Sequence, residues 1–254
     1  MKVETYLINL DGSDERLASA TTQLNAQQFS FTRFPAYDGR KKQLSDFVDY
    51  NDQKANQIMG RSLLNSELGC YMSHLGCVKK FLQTDADYLI VLEDDLKVSE
   101  HFKETVDDIL KYLDTHRDLD WYLINLAAKK RKIYTPIQTF EHHTLIHAYY
   151  FPIRGIGLIW SRQGAQAFVN YIQDISMPVD NVFQTWLSQN GKGLSVWPPL
   201  LKPNGLDSDI DGAIATQSQR RNDKAHRSWS YNVKKQKRMW CDRLSALKNK
   251  YKIS

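Results

Sequence analysis

The 254-residue chain is poor in cysteine, with only Cys70, Cys77 and Cys241. An odd, scattered set of three excludes a disulfide scaffold. Cys70 and Cys77 lie seven apart on an expected helix and read as packed thiols, in keeping with a reducing cytosol. The opening Met1-Lys2-Val3-Glu4 lacks an apolar signal region, and no run approaches the ~20 apolar residues that a membrane span requires. No repeat or low-complexity tract stands out, which sets repeat architectures aside.

What is present is a core and an uneven charge. With 42% apolar and 11% aromatic residues, the chain can fill one large domain, or one domain with an appendage. The net charge is +5, but from Arg220 to Lys252 twelve Lys or Arg stand against Asp223 and Asp242. That local +10 leaves the rest at −5, so an acidic body over residues 1–215 is expected to carry a basic extension over 216–254.

Apolar segments of strand length alternate with helical patterns. Strands are expected at 4–10, 31–36, 88–92, 121–126, 144–151, 156–160 and 194–197. Helices are expected around Arg16–Leu24, from Asn65 through Phe81 with Ser66 as cap, at about 99–116, after the cap Ser161, and from Pro178 to Asn190. Residues 40–60 are polar and unassigned. The alternation argues for a mostly parallel α/β sheet. Beyond Ser228, Val233, Trp240, Leu244, Leu247 and Tyr251 recur at helical spacing among Lys and Arg, a basic amphipathic helix. Its apolar face either packs on the body or meets a membrane.

The strand Tyr88–Leu92 runs directly into Glu93-Asp94-Asp95. In open α/β sheets ligands gather at the carboxyl ends of strands. Three adjacent acids there repel by roughly 3 kcal/mol per close pair at an effective dielectric near 20. A hard divalent cation relieves this, and oxygen ligands select Mg2+ or Mn2+ over zinc. The alternative is that the acids cap the next segment and face solvent.

Other metal signals are weaker. Asp207-x-Asp209-x-Asp211-Gly212 copies half a calcium loop, but Ser218 stands where the bidentate Glu belongs. His142, His143 and His147 read as a surface loop, and His226, a candidate late metal ligand, as a solvated histidine.

Six short motifs in order resemble glycosyltransferase family 25, the lipooligosaccharide galactosyltransferases and their collagen-modifying relatives. They are Ile8-Asn9-Leu10 with Arg16; Pro35-Ala36-Tyr37-Asp38-Gly39; Ser66 to His74; Leu92 to Asp95; Leu158 to Ala165; and Pro178-Val179-Asp180. The resemblance covers roughly residues 4–210 and implies a GT-A-type fold. It also implies Asp95 and Glu93 as metal ligands for Mn2+ or Mg2+, with Asp94 as a helper. Asn9, Leu10, Arg16 and Asp38 would meet the uracil and ribose of a UDP-sugar, and Glu67, Ser73 and His74 would line the donor pocket. Arg16 could instead make a surface ion pair, Glu67 could be an ordinary helix-start acid, and His74 a packed histidine.

Inverting transfer needs a base for the acceptor hydroxyl. Asp180, opening a helix, is the candidate, with simple N-capping as the competing role. The expected activity is transfer of a hexose, galactose before glucose, to a lipooligosaccharide acceptor. The expected location is the cytoplasmic face of the inner membrane, with residues 220–252 against anionic lipid. Nucleic acid is not an expected partner. A metal-dependent nuclease or phosphatase ranks far lower, because such enzymes draw acids from several strands. A non-catalytic carbohydrate-binding relative is the third alternative.

Overall fold

Strict alternation along two central strands sets the layers. In β1 (Val3–Asn9), Tyr6 and Ile8 enter one core while Leu7 enters another. In β3 (Tyr88–Glu93), Leu89 and Val91 join the first, and Ile90 and Leu92 the second. Successive side chains of a strand point to opposite faces, so a strand covered on both sides reads as an unbroken apolar run. The computed structural model describes residues 1–40, 42–205 and 229–253.

The remaining elements are α1 (Asp14–Ala26), β2 (Thr32–Pro35), α2 (Asp52–Met59), α3 (Asn65–Leu82), β4 (Leu96–Val98), α4 (Phe102–Thr115), β5 (Leu123–Asn125), β6 (Tyr134–Thr139), β7 (Thr144–Ala148), β8 (Gly157–Ser161), α5 (Arg162–Tyr171), α6 (Val179–Asn190), β9 (Gly193–Trp197), β10 (Leu201–Pro203) and α7 (Trp229–Tyr251). The eight-stranded sheet has the order β2-β1-β3-β8-β5-β9-β7-β6. All strands but β8 and β7 run in one direction. The architecture is therefore α/β with a largely parallel central sheet, as expected. Phe81 of α3, Phe168 of α5 and Phe183 of α6 fill one face with Trp160; Leu24 of α1 and Phe102, Val106 and Ile109 of α4 fill the other.

Several boundaries differ from the sequence expectation. Residues 40–60 contain α2, capped by Asn51, whose Oδ1 accepts from Lys54 N at 2.9 Å, and stopped by left-handed Gly60. Only Ala55 and Met59 of that helix are buried, too few to show a period. Helix α4 begins at Phe102, because Leu96–Val98 pairs with Leu201–Pro203 as a small ribbon. Strand β6 is largely polar, contains Pro136 and lies at the sheet edge, where proline is tolerated. Ser161 caps α5 as expected, accepting from Gly164 N at 2.9 Å. Ser66, in contrast, lies inside α3; Leu64 is the flanking residue, and Glu67 takes its N–H at 2.9 Å.

Helix α7 lies across α2 and α6. Its body-facing side is mixed: Tyr231 and Ala246 are buried there beside polar groups. Asp242 accepts from Thr185 Oγ1 at 3.1 Å, Asn249 donates to the carbonyls of Ser188 and Gln189, and Arg238 reaches Asn181 Oδ1 at 3.4 Å. Of the two alternatives for the apolar stripe, packing on the body does not hold: Trp240 and Leu244 foremost are exposed. The 215/216 boundary, the half calcium loop and His226 lie outside the described residues.

Candidate active site

The carboxyl ends of β1 and β3 open onto a cleft enclosing about 610 Å³ of solvent-connected space, floored by α3. Asn9, Leu10, Arg16, Asp38, Ser73, His74, Glu93 and Asp94 all line it. Glycines set its walls. A Cβ on Gly39 would lie 2.0 Å from the Asn65 carbonyl oxygen, and one on Gly69 would lie 2.5 Å from the Tyr37 carbonyl oxygen. The segment after β2 therefore rests backbone to backbone on α3. Ser73 secures it, accepting from Tyr37 N at 2.8 Å and donating to the Gly69 carbonyl at 2.8 Å.

The three acids have separate surroundings. Asp94 is buried and engaged at both oxygens: Arg16 Nη2 is 2.5 Å from Oδ1, and Asn9 Nδ2 donates to Oδ2 at 2.7 Å. Asn9 is oriented in turn by Arg33, whose Nε donates to its Oδ1 at 2.9 Å. Asp94 thus ties the end of β3 to β1 and α1. Glu93 Oε1 lies 2.8 Å from His74 Nε2 and 4.0 Å from Cys70 Sγ. Asp95 Oδ1 is buried without a hydrogen-bond partner. Burial, then the neighbouring Glu93 and Asp94, push the Asp95 carboxyl up to about 7 against the opposing pull of Arg16.

An orphaned carboxylate oxygen in a field of like charge fits a cation. Asp95 and Glu93 offer the hard oxygen donors of a Mg2+ or Mn2+ site. Cys70, His74 and Glu93 also converge closely enough to hold a metal, the one such group among the described residues. The simpler reading of their contacts is that His74, carrying its proton on Nε2, donates to Glu93 and aims it. Gly155 makes room for this pair: a Cβ there would stand 2.9 Å from Glu93 Oε1 and 3.2 Å from His74 Nε2. Its loop is held by Asn125 Nδ2, which donates to the Arg154 carbonyl at 2.7 Å.

Asp180 is the second residue of α6; the flanking position belongs to Pro178, so Asp180 is not the N-cap. Burial pushes its carboxyl up to about 6, opposed by the Asn181 backbone N–H and reinforced by Glu93 and Glu67. The thiol of Cys70 is raised well above its ordinary value by burial, then by Glu93, Asp180, Asp95 and Glu67. Cys70 thus lies within electrostatic reach of four carboxylates, with Glu93 in contact at 4.0 Å.

Glu67 does not line the cleft. It is clamped by Arg61, at 2.7 and 2.5 Å, while accepting from Leu64 N. Asp38 lines the mouth in an ion pair with Arg40 at 2.9 Å. His143 and His147 hydrogen-bond to the carbonyls of Pro198 and Gly191, and His142 stacks on His101, so those histidines do not converge on a metal.

The sequence profile of glycosyltransferase family 25 (LPS biosynthesis protein) matches residues 2–183. Human procollagen galactosyltransferase 2 is 24% identical over 170 residues, covering 65% of this chain and 27% of that protein. A glycosyltransferase 25 family member from Aedes aegypti is 27% identical over 230 residues, covering 83% of this chain and 37% of its own length. The chain thus spans well under half the length of these curated relatives. Among solved structures, S. aureus TarS 1-349 superposes with a TM-score of 0.48 at 12% identity, over 80% of this chain and 60% of that one. The match over residues 2–183 takes in the acidic strand end, the glycine-built cleft and Asp180, and the chain belongs to glycosyltransferase family 25.

Proposed function

We propose that the protein transfers a hexose, galactose in the first instance, from a UDP-sugar to a lipooligosaccharide acceptor with inversion at the anomeric carbon. The observation that carries this reading is the buried, unpartnered oxygen of Asp95 two residues after Glu93, which lines the cleft and whose charge is felt by both Asp95 and Asp180. Galactose is favoured because relatives are named procollagen galactosyltransferases. A glucosyl donor is the alternative within the same reading.

Asp95 and Glu93 would hold Mn2+ or Mg2+, which when bound neutralises the charge of the departing diphosphate. His74 keeps Glu93 aimed through the 2.8 Å contact. Arg16 and Asn9 hold Asp94, and with it the strand end, in place. Leu10 and Asp38 line the same cleft and are the proposed contacts of the nucleoside. Asp180, with its carboxyl near 6, is ionised at neutral pH yet basic enough to accept the proton of the acceptor hydroxyl at its carboxylate oxygen.

The test is transfer from UDP-galactose and UDP-glucose with and without Mn2+, alongside thermal shifts with UDP alone. Metal-dependent transfer that Asp95→Ala abolishes supports the proposal. Metal-independent turnover by Asp95→Ala refutes it.

A further inference from the structure

We propose that the outward face of α7 docks on an anionic lipid bilayer. Trp240, Leu244 and Tyr251 are 58%, 57% and 62% exposed, and Val233 and Leu247 are exposed beside them. At 3.6 residues per turn these five fall within about 60° of arc, one continuous stripe. Lys237 and Lys248 run along one edge of that stripe, and Arg243 and Lys250 along the other. The Arg243 guanidinium stands 5.4 Å from the Trp240 ring centroid and the Lys250 ammonium 5.5 Å from that of Tyr251, so the cations flank the aromatics. This is the pattern of a helix lying in an interface: apolar and aromatic residues enter the acyl boundary while basic ones meet headgroups.

The opposite side of the helix is already committed. Asp242, the only acid among residues 229–253, is buried against Thr185. Asn249 and Arg238 also face the body. No rotation of the helix would therefore bury the stripe on this chain without stranding Asp242.

Charge decides between occupants. A second copy seated on the stripe would bring Arg243, Lys248 and Lys250 against the same residues of its partner, with no acid to answer them. A nucleic acid would answer the charge but not the exposed tryptophan and leucines. An anionic bilayer answers both. Among the described residues no helix is long and apolar enough to cross a membrane, so the contact is interfacial. On its inner side α7 reaches Asn181, the residue after Asp180, so the docked helix and the candidate base share a support.

The experiment is co-sedimentation of the full chain with vesicles of phosphatidylcholine alone and of phosphatidylcholine with phosphatidylglycerol. Binding to the anionic vesicles is expected to be at least about tenfold tighter, since each basic residue near such a surface is worth roughly fivefold. Trp240→Glu with Leu244→Glu should abolish it while circular dichroism shows an unchanged melt. Lys248→Gln with Lys250→Gln should weaken it by at least about tenfold. Asp95→Ala should leave it unchanged, so the docking surface and the sugar-transfer reading fail independently. Equal binding to both vesicle types, or retained binding by the double Glu variant, overturns the proposal. So does a concentration-dependent dimer that the double Glu variant abolishes, or duplex DNA binding without vesicle binding.

Discussion

The cleft and the terminal helix invert one another. At the ends of β1 and β3, charged groups are drawn inward: Asp94 is buried between Arg16 and Asn9, and Asp95 keeps a buried oxygen with no partner. On α7 Asp242 is again drawn inward, beside Tyr231 and Ala246, but the larger apolar stripe of Trp240, Leu244 and Tyr251 is turned out to solvent. Burying a carboxylate is costly unless it is paired, and exposing a stripe of large apolar residues forgoes their burial. Each region departs from the ordinary disposition in its own way, and each departure is the ground of one proposal: a bound cation for the first, a lipid surface for the second.

The largest effect should come from breaking the inward cluster. Asp95→Asn is expected to lower transfer by about a thousandfold or more, by analogy with loss of other electrostatic transition-state stabilisers. It should also erase any Mn2+-dependent rise in Tm, read by differential scanning fluorimetry. Asp180→Asn should cost about 10²–10⁴ in kcat while UDP still raises Tm, because a general base contributes on that scale. In the unsubstituted protein the rate should climb with pH through about 6, as Asp180 ionises; a flat profile there would exclude it as the base.

Proton linkage sharpens the contrast without substrate. Asp95 titrates near 7 in the folded chain, against about 3.9 for an unperturbed Asp. The folded state therefore holds the extra proton between those values, and metal-free stability should fall as pH rises from about 4 to 7. Mn2+ binds the ionised form, so its stabilising effect should grow over the same window. In a pH series of melts Asp95→Asn should remove the Mn2+ trend and weaken the metal-free one, leaving the share that Asp180 contributes up to about pH 6.

Smaller effects belong to packing. Gly69→Ala would drive a methyl towards the Tyr37 carbonyl and should cost about 1–3 kcal/mol in urea titrations. Trp240→Ser with Leu244→Ser on the outward stripe should change stability by no more than about 0.5 kcal/mol per site, since neither is buried. A large loss there would mean that the stripe is packed after all.

Signals carried within one element were legible in the sequence. The Tyr88–Leu92 strand, the acids at its end, the Ser161 cap and the C-terminal helix all announce themselves through periods and neighbours a few residues apart. Glu67 illustrates the limit: a helix-start acid looks the same whether it lines a pocket or, as here, pairs with Arg61 and the Leu64 N–H. Arg33, Asn125 and Gly155 could not be found at all, and Cys70 read only as a packed thiol. Arg33 meets Asn9 only because β2 pairs with β1, and Gly155 meets Glu93 only because its loop, held by Asn125, crosses the end of β3. Short strands such as β4 and β10 stabilise one another across about a hundred residues and carry no signal alone.

By itself the sequence determined the long, strongly patterned elements, where the acids sit relative to a strand end, and that the C-terminal helix is basic and amphipathic, because those properties depend on covalent neighbours. Only the tertiary structure decided that Asp94 is tied up while one oxygen of Asp95 is not, that Cys70 meets Glu93, and that the helix turns its stripe of Trp240, Leu244 and Tyr251 outward. Those outcomes depend on which distant groups compete for the same partner, and burial is a property of the whole packed chain.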